Sequence, residues 1–383
     1  MERLTWHIGT FRGTPIYVHW SMWLFLLMLE LEAFFVPEGG LQLALARCIL
    51  WGGLFGFVLW HELAHVAAAA TYGLPTERVV LHPFGGTAVF TRPLDRPRQE
   101  LVVVLAGPAS NLLLSGVFLL MRWVLERLFH PLPQPTPAFP SPPVWAYLFS
   151  LSNLFLALFN LLPAFPLDGG RALRALLAMR LSYKKATQIV TFVAQLLALL
   201  FVIGALFLGD VTLLVVGLLS FFAAAVERYR VEKEALLRSV TAREILVEEL
   251  PTFQADDPVD KLTKSLEGEY ALIVDAEGKP VGFISRYSGY ALGASNVDIP
   301  LSQIMDSLIV RVSPATSLEE VWCLLQEEEK HHFYLDEPMA VVMEGDRVMG
   351  YVDKSTIRGF SSSRGFENEG LPSFRQMLRL SFS

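Results

Sequence analysis

LQLALARCILWGGLFGFVLWHELAHVAAAAT, residues 41–71, decides how the rest of the chain is read. As a helix rising 1.5 Å per residue, the run from Leu41 to His61 covers about 30 Å, roughly the hydrocarbon thickness of a bilayer. Arg47 is its only charge until His61, Glu62 and His65 arrive together. Helical positions four apart share a face, so the two imidazoles can ligate one metal ion. Glu62, between them, can reach a metal-bound water and act as general base. Ionisable groups inside an apolar span are costly and by default mark function. The bland alternative is polar glue between helices, and packing does not require three ionisable groups in five residues.

Working outward, apolar stretches also cover residues 16–36, 100–129, 144–162, 187–208 and 211–226, giving six candidate spans. Composition agrees. The 383-residue chain is 53% hydrophobic and 18% charged, against roughly 25% charged in soluble proteins. Only 25 of its 69 Asp, Glu, Lys and Arg residues fall in residues 1–226, where the net charge is +3; the remaining 44 fall in 227–383, where it is −10. The expected organisation is a membrane domain over 1–226, a charged helical linker over 227–239, a soluble domain over 240–360 and a flexible tail over 361–383. No dense basic stripe occurs, which excludes a nucleic-acid partner. Cys48 and Cys323 lie in different parts, so no disulfide framework is expected. The opening MERLTWHIGTF lacks the pattern of a removable signal peptide. With six spans, eleven Lys and Arg residues flank one side and three the other, predicting a multi-pass protein of the cell membrane with both termini cytoplasmic. The proline-rich stretch 130–143 then faces outward as a stiff spacer.

Two histidines leave a tetrahedral zinc short of a third protein ligand. Asp168 stands in FNLLPAFPLDGGR, residues 159–171, where two prolines and two glycines break the fourth span at a depth similar to His61. Broken backbone at that depth is tolerated only where it lines a cavity or is buried in protein. Alternatively Asp168 caps the helix that follows. His82, in HPFGG, competes as the third ligand.

HELAH at 61–65, Gly107-Pro108-Ala109-Ser110-Asn111, and the segment from Asn160 through Pro163 and Pro166 to Asp168-Gly169 together resemble the site-2 protease family of intramembrane zinc metalloproteases. The arrangement is similar to its bacterial branch typified by sporulation factor proteases. The resemblance covers nearly all of residues 1–226. It implies one zinc per chain held by His61, His65 and Asp168, with Glu62 as base and then acid, and a transmembrane protein as substrate in the lipid bilayer. It further implies that 82–86 is a re-entrant β-like segment, where Gly85 and Gly86 let an unwound substrate add as a strand. Asn160 matches the family asparagine, for substrate backbone or reacting centre; a helix-packing amide is its alternative. Gly52 and Gly56 have the spacing of close helix packing, and His19 is expected at the interface rather than as a ligand.

In the soluble half a pattern repeats after roughly 60–70 residues. ALIVDAEGKPVGFISR (271–286) and MAVVMEGDRVMGYVDKSTI (339–357) each read as strand, acidic-Gly turn, strand and helix. The duplication resembles a tandem pair of CBS domains over 240–360, which implies adenine-nucleotide binding at the clefts or a structural, dimerising role; both stay open. Ser285 in copy one and Asp353 in copy two match the family's ligand positions, whereas Ser288 stands where an acid is expected and Thr356 follows Asp353 in reversed order. The adjacent histidines at 331–332 read as a solvated helix end. The expected fold is therefore a polytopic α-helical membrane domain of six transmembrane helices with a re-entrant β-like segment, followed by a soluble α/β CBS-domain pair that modulates it. The competing functions are a non-catalytic scaffold of the same family that binds membrane proteins, and a CBS-regulated transporter. A transporter is expected to repeat itself among its spans, and residues 1–226 show no such repeat.

Overall fold

The structure, a computed structural model, describes residues 4–35, 40–83, 85–91, 96–128, 140–248, 250–265, 269–286, 299–307, 309–331 and 338–366. Most of the spacer 130–143 and of the tail 361–383, together with Ser288 and His332, lies outside them. The chain divides into two units, Met1–Arg228 and Tyr229–Ser383.

The first unit begins with a hairpin rather than a helix. Strands β1 (Thr5–Phe11) and β2 (Thr14–His19) pair antiparallel about Arg12 and Gly13, whose φ angles of 50° and 83° make the tight turn. The first span expected at 16–36 is thereby shortened. Thr14, Ile16 and Val18 alternate inward with the period of two of a strand, so helix α1 (Trp20–Phe35) starts only at Trp20 and has 16 residues. Helix α2 (Gly40–Thr71) follows, then β3 (Thr76–His82) and β4 (Gly85–Phe90). The four strands form one sheet in the order β1-β2-β3-β4, with β2 and β3 parallel across the α1–α2 crossover. Helices α3 (Pro97–Leu128), α4 (Pro142–Asn160), α5 (Asp168–Ala178), α6 (Tyr183–Leu208) and α7 (Val211–Ser239) complete the unit, α7 continuing past Arg228. Among the described residues, five helices are long and apolar enough to cross a membrane: α2, α3, α4, α6 and α7.

Two packing choices position the site. Ile16, Val18, Val79 and Leu81 from the sheet pack on Leu59, Leu63 and Val66 of α2. At about 100° per residue this apolar stripe sends His61 and His65 to the opposite face of the helix. That face meets α3. Helix α3 in turn packs on α4 through small and polar residues, Asn111 and Ser115 against Asn153 and Ser150, the composition that lets helices approach closely in lipid. Ser115 and Ser150 hydrogen bond at 3.0 Å across this seam.

In the second unit the expected duplication is visible as two three-stranded sheets. Strands β5 (Thr252–Gln254), β6 (Tyr270–Val274) and β7 (Pro280–Ser285) form one, and β8 (Val310–Val312), β9 (Met339–Glu344) and β10 (Arg347–Asp353) the other. Each has a parallel first pair and an antiparallel hairpin, turned at Gly278 or Gly345 with φ of 81° and 63°. Helices α8 (Ala242–Ile245), α9 (Val259–Ser265), α10 (Leu318–His331) and α11 (Lys354–Ser363) cover them. The copies exchange leading segments. Val240 and Ala242 pack into the core of copy two, whereas Leu301 and Met305, late in the chain, pack on copy one.

Candidate metal centre

His61, His65 and Asp168 come together. One ligand atom from each lies within 4.8 Å of the others. Asp168 Oδ2 is 2.9 Å from His61 Nε2 and 3.2 Å from His65 Nε2. The pairing is long-range: α2 supplies the imidazoles, and Asp168 is the first residue of α5, after α4 has stopped at Asn160 before Pro163 and Pro166. Leu167, not Asp168, occupies the cap position of α5, and its side chain accepts no capping bond. Asp168 is thereby left to face the histidines.

Hydrogen-bond direction determines what those three groups can hold. His65 Nδ1 lies 2.7 Å from the Val103 carbonyl, which only accepts, so this nitrogen carries the proton. The His61 ring is fixed through two amides. Asn153 Nδ2 donates to the Phe149 carbonyl at 2.9 Å, its Oδ1 accepts from Asn111 Nδ2 at 3.0 Å, and Asn111 Oδ1 is therefore the atom 2.9 Å from His61 Nδ1. Both rings spend their Nδ1–H on fixed acceptors, and both Nε2 atoms converge on a carboxylate oxygen. Three lone-pair-bearing atoms converging in a buried place need a cation between them, or added protons on the rings. The residues fit a metal ion with two nitrogen ligands and one oxygen ligand.

Glycine makes the space. A Cβ on Gly107 of α3 would stand 2.5 Å from His61 Nε2 and 2.5 Å from His65 Nε2. A Cβ on Gly86 of β4 would stand 2.4 Å from Glu62 Cγ. Glu62, 9% exposed, therefore lies directly under β4. Because β4 ends the sheet, one side of that strand has no strand neighbour among the described residues. Gly85, at φ 137°, pairs with His82 at the head of the β3–β4 hairpin.

The remaining expected residues lie elsewhere. His82 does not join the ligand group; it closes β3 with its ring 5.3 Å from that of His19, and burial together with His19 holds its imidazole below the ordinary value. Asn160 ends α4 and donates back to the Leu156 carbonyl at 2.9 Å. In the second unit, Ser285 and Asp353 each close the last strand of a copy. Asp353 caps α11, accepting from Thr356 N at 2.7 Å, Thr356 Oγ1 at 2.6 Å and Ser355 Oγ at 2.9 Å. The roles of Asn153, Val103 and Gly107 were not read from the sequence. Their signal was faint: Asn153 is one of two amides in the apolar run 144–162, beside Asn160, and Gly107 stood out only as part of the 107–111 motif.

A profile described as Peptidase family M50 matches residues 50–130 and 134–203, and one described as CBS domain matches 242–288. The chain belongs to the M50, or site-2 protease, family and carries a CBS domain. A zinc metalloprotease of Methanocaldococcus jannaschii is 28% identical over 353 residues, 90% of this chain and 92% of that one. Stage IV sporulation protein FB of Bacillus subtilis is 35% identical over 130 residues, 34% of this chain and 40% of that protein. The solved site-2 protease from M. jannaschii is 30% identical, covering 58% of this chain and 95% of that chain with a TM-score of 0.44. All three segments that build the candidate metal centre of this M50 chain, around His61, Asn111 and Asp168, lie inside the matched residues.

Proposed function

We propose that this multi-pass membrane protein is an intramembrane zinc metalloprotease that hydrolyses peptide bonds in or near the transmembrane segments of other proteins. The observation that carries the reading is the convergence of His61 and His65, with Glu62 beside them on a helix apolar enough to span a bilayer, upon Asp168 at the start of α5. The zinc named in the relatives fits the ligand set. When bound, such an ion polarises a carbonyl and lowers the pKa of water to about 7.

The chain's own residues do the rest. Asn111 and Val103 hold the two rings so that Nε2 of each faces the ion. Asp168 completes the set from a separate segment. Glu62 takes the proton from the attacking water and later delivers it to the leaving amine. A peptide bond within a helix is shielded, so the substrate must arrive unwound. The edge of β4, with Gly86 above Glu62 and Gly85 next to it in the strand, suits a substrate strand that pairs by its backbone. Asn160, at the end of α4, is the remaining substrate contact. Counting the shorter α1 as a sixth crossing leaves both termini on one side, and the excess of Lys and Arg on that side makes it the cytoplasmic one. The CBS unit modulates the protease. The occupied carboxylate of Asp353 favours a structural or dimerising role for copy two over adenine-nucleotide binding.

The test uses the purified full chain in lipid and a single-span substrate. Glu62→Gln is expected to abolish cleavage while retaining about one zinc per chain by elemental analysis, and His61→Ala to lose zinc. Full proteolysis by Glu62→Gln refutes the assignment, and zinc without cleavage by the unaltered chain supports a non-catalytic scaffold instead.

A further inference from the structure

Arg174 is 5% exposed, one of few buried charges in the first unit. Its Nε and Nη2 donate to Glu100 Oε1 at 3.2 and 2.6 Å, and its Nη1 donates to Glu227 Oε1. The three belong to different helices. Arg174 is on α5, Glu100 opens the α3 helix that carries Gly107 and Asn111, and Glu227 is on α7. The second oxygen of Glu100 is buried without a hydrogen-bond partner among the described residues. The guanidinium also stands 5.4 Å from the Phe165 ring and 4.7 Å from that of Tyr183. Phe165, three residues before Asp168, packs with Val190, Ala194 and Ala224. Helix α7 therefore grips the segment on both sides of Asp168: Ala224 against Phe165 before it, Glu227 on Arg174 after it.

One guanidinium against two carboxylates is a poor device for stability, since desolvating such a group costs more than apolar packing of the same volume. It is a good device for direction. Arg174 follows Asp168 by six residues, about 9 Å along α5 and about 120° around it, so it holds the helix without facing the ligands. Asp168 has a short side chain, and the place of its carboxylate is set by the axis of α5. A planar fork that ties α5 to α3 and α7 sets that axis.

We propose that Arg174 is a positioning residue for the metal centre. By tying α5 to Glu100 and Glu227, it holds the Asp168 carboxylate against His61 and His65, so that ion retention and turnover depend on it. This rests on the reading that those three residues ligate zinc.

The experiment uses the full chain loaded with zinc in detergent, comparing wild type with Glu227→Gln, Arg174→Lys and Arg174→Met. Zinc release to an excess chelator, kcat and KM on a single-span substrate, and the thermal midpoint of the zinc-free protein are recorded for each. Removing a group hydrogen-bonded directly to a metal ligand typically costs about 10- to 100-fold in affinity or activity, and a tie one step further out is expected at the low end of that range. Glu227→Gln, at the most exposed corner of the triad, is expected to release zinc about tenfold faster and to lower kcat with KM near wild type, its zinc-free midpoint almost unchanged. Arg174→Lys is expected to retain zinc better than Arg174→Met and less well than wild type. Release and kcat at wild-type values in Glu227→Gln overturn the proposal, as does a change that merely tracks the fall in midpoint. A wild-type chain that binds no zinc overturns the underlying reading and the proposal with it, whereas a wild type that binds and cleaves while the variants behave identically overturns the proposal alone.

Discussion

Replacing Gly107 by alanine adds one methyl at the most crowded point of the metal centre. That Cβ would lie 2.5 Å from Nε2 of both His61 and His65, where ordinary contact begins at 3.4 Å. Each ring would have to withdraw by about 0.9 Å, the difference of those two distances. Neither is free to do so, because Asn111 and Val103, which hold the Nδ1 atoms at 2.9 and 2.7 Å, sit on the same helix as the new methyl. Withdrawal breaks those bonds, and staying leaves a methyl among the ligand atoms. Overpacking of this kind costs roughly 1–3 kcal/mol, and at 1.4 kcal/mol per factor of ten that is about a 5- to 140-fold loss of zinc affinity. The control is Gly116→Ala on the same helix, where a Cβ meets nothing within 4 Å. Both variants gain the same roughly 0.5–1 kcal/mol from replacing a helical glycine, so backbone propensity cancels in the comparison. Chelator competition with elemental analysis of the purified chains provides the assay, with cleavage of a single-span substrate in parallel. Gly107→Ala is expected to lose zinc and activity while Gly116→Ala keeps both. A Gly107→Ala chain with wild-type zinc affinity and turnover refutes the arrangement of ligands derived above.

Asn111→Ala leaves His61 Nδ1 and Asn153 Oδ1 without partners in a buried site, at about 1–3 kcal/mol each; weaker zinc binding in the same competition assay is the expected result. Asp353→Ala removes the cap of α11 and should destabilise the second unit by about 0.5–2 kcal/mol, read as a lower denaturation midpoint, with Asp353→Asn losing less. Burial, then Asp353 and Glu269, push the Tyr351 phenol up to about 12. The unfolded chain therefore releases this proton first, so the associated stability is complete below about pH 10 and falls as pH rises toward the folded value. Thermal melts between about pH 9 and about pH 11 should show wild type losing stability relative to Tyr351→Phe.

What the sequence disclosed follows from where its information is local. His61, Glu62 and His65 are legible because the spacing itself places the imidazoles on one helical face, and because their apolar surroundings make polarity conspicuous. Asp168 is legible because prolines and glycines announce a broken helix. The hairpin at Thr5–His19 is not. Ile16, Tyr17 and Val18 are as apolar as a span, and only pairing with β1 and with β3, about sixty residues on, makes them a strand. Asn153 looked like an ordinary polar residue in a span until α4 packed on α3 and put it behind Asn111. Arg174 was hidden differently. Its charge fitted the expected basic boundary of the membrane so well that nothing in the sequence separated it from its exposed neighbour Arg171, and only the fold shows that it faces two carboxylates indoors.

The division of the ligands between two segments has a thermodynamic consequence of its own. His61 and His65 are braced from one side by the sheet through Leu59, Leu63 and Val66, and from the other by α3. Asp168 belongs to a segment held by α3, α6 and α7. An ion that takes ligands from both closes a loop of more than a hundred residues, and all of its binding free energy accrues to the state in which the two halves are docked. Position adds to this. At the first residue of α5, the Asp168 carboxylate meets the positive end of the helix, which favours its ionised form by about 0.3–1 kcal/mol. The Asp168 carboxylate, with Glu62 close by, gives this buried place the acidic character that draws in a divalent cation. The same chain without a cation must keep those lone pairs apart or take up protons. On the proposed reading, then, the ion contributes to the order of the fold as well as to the chemistry.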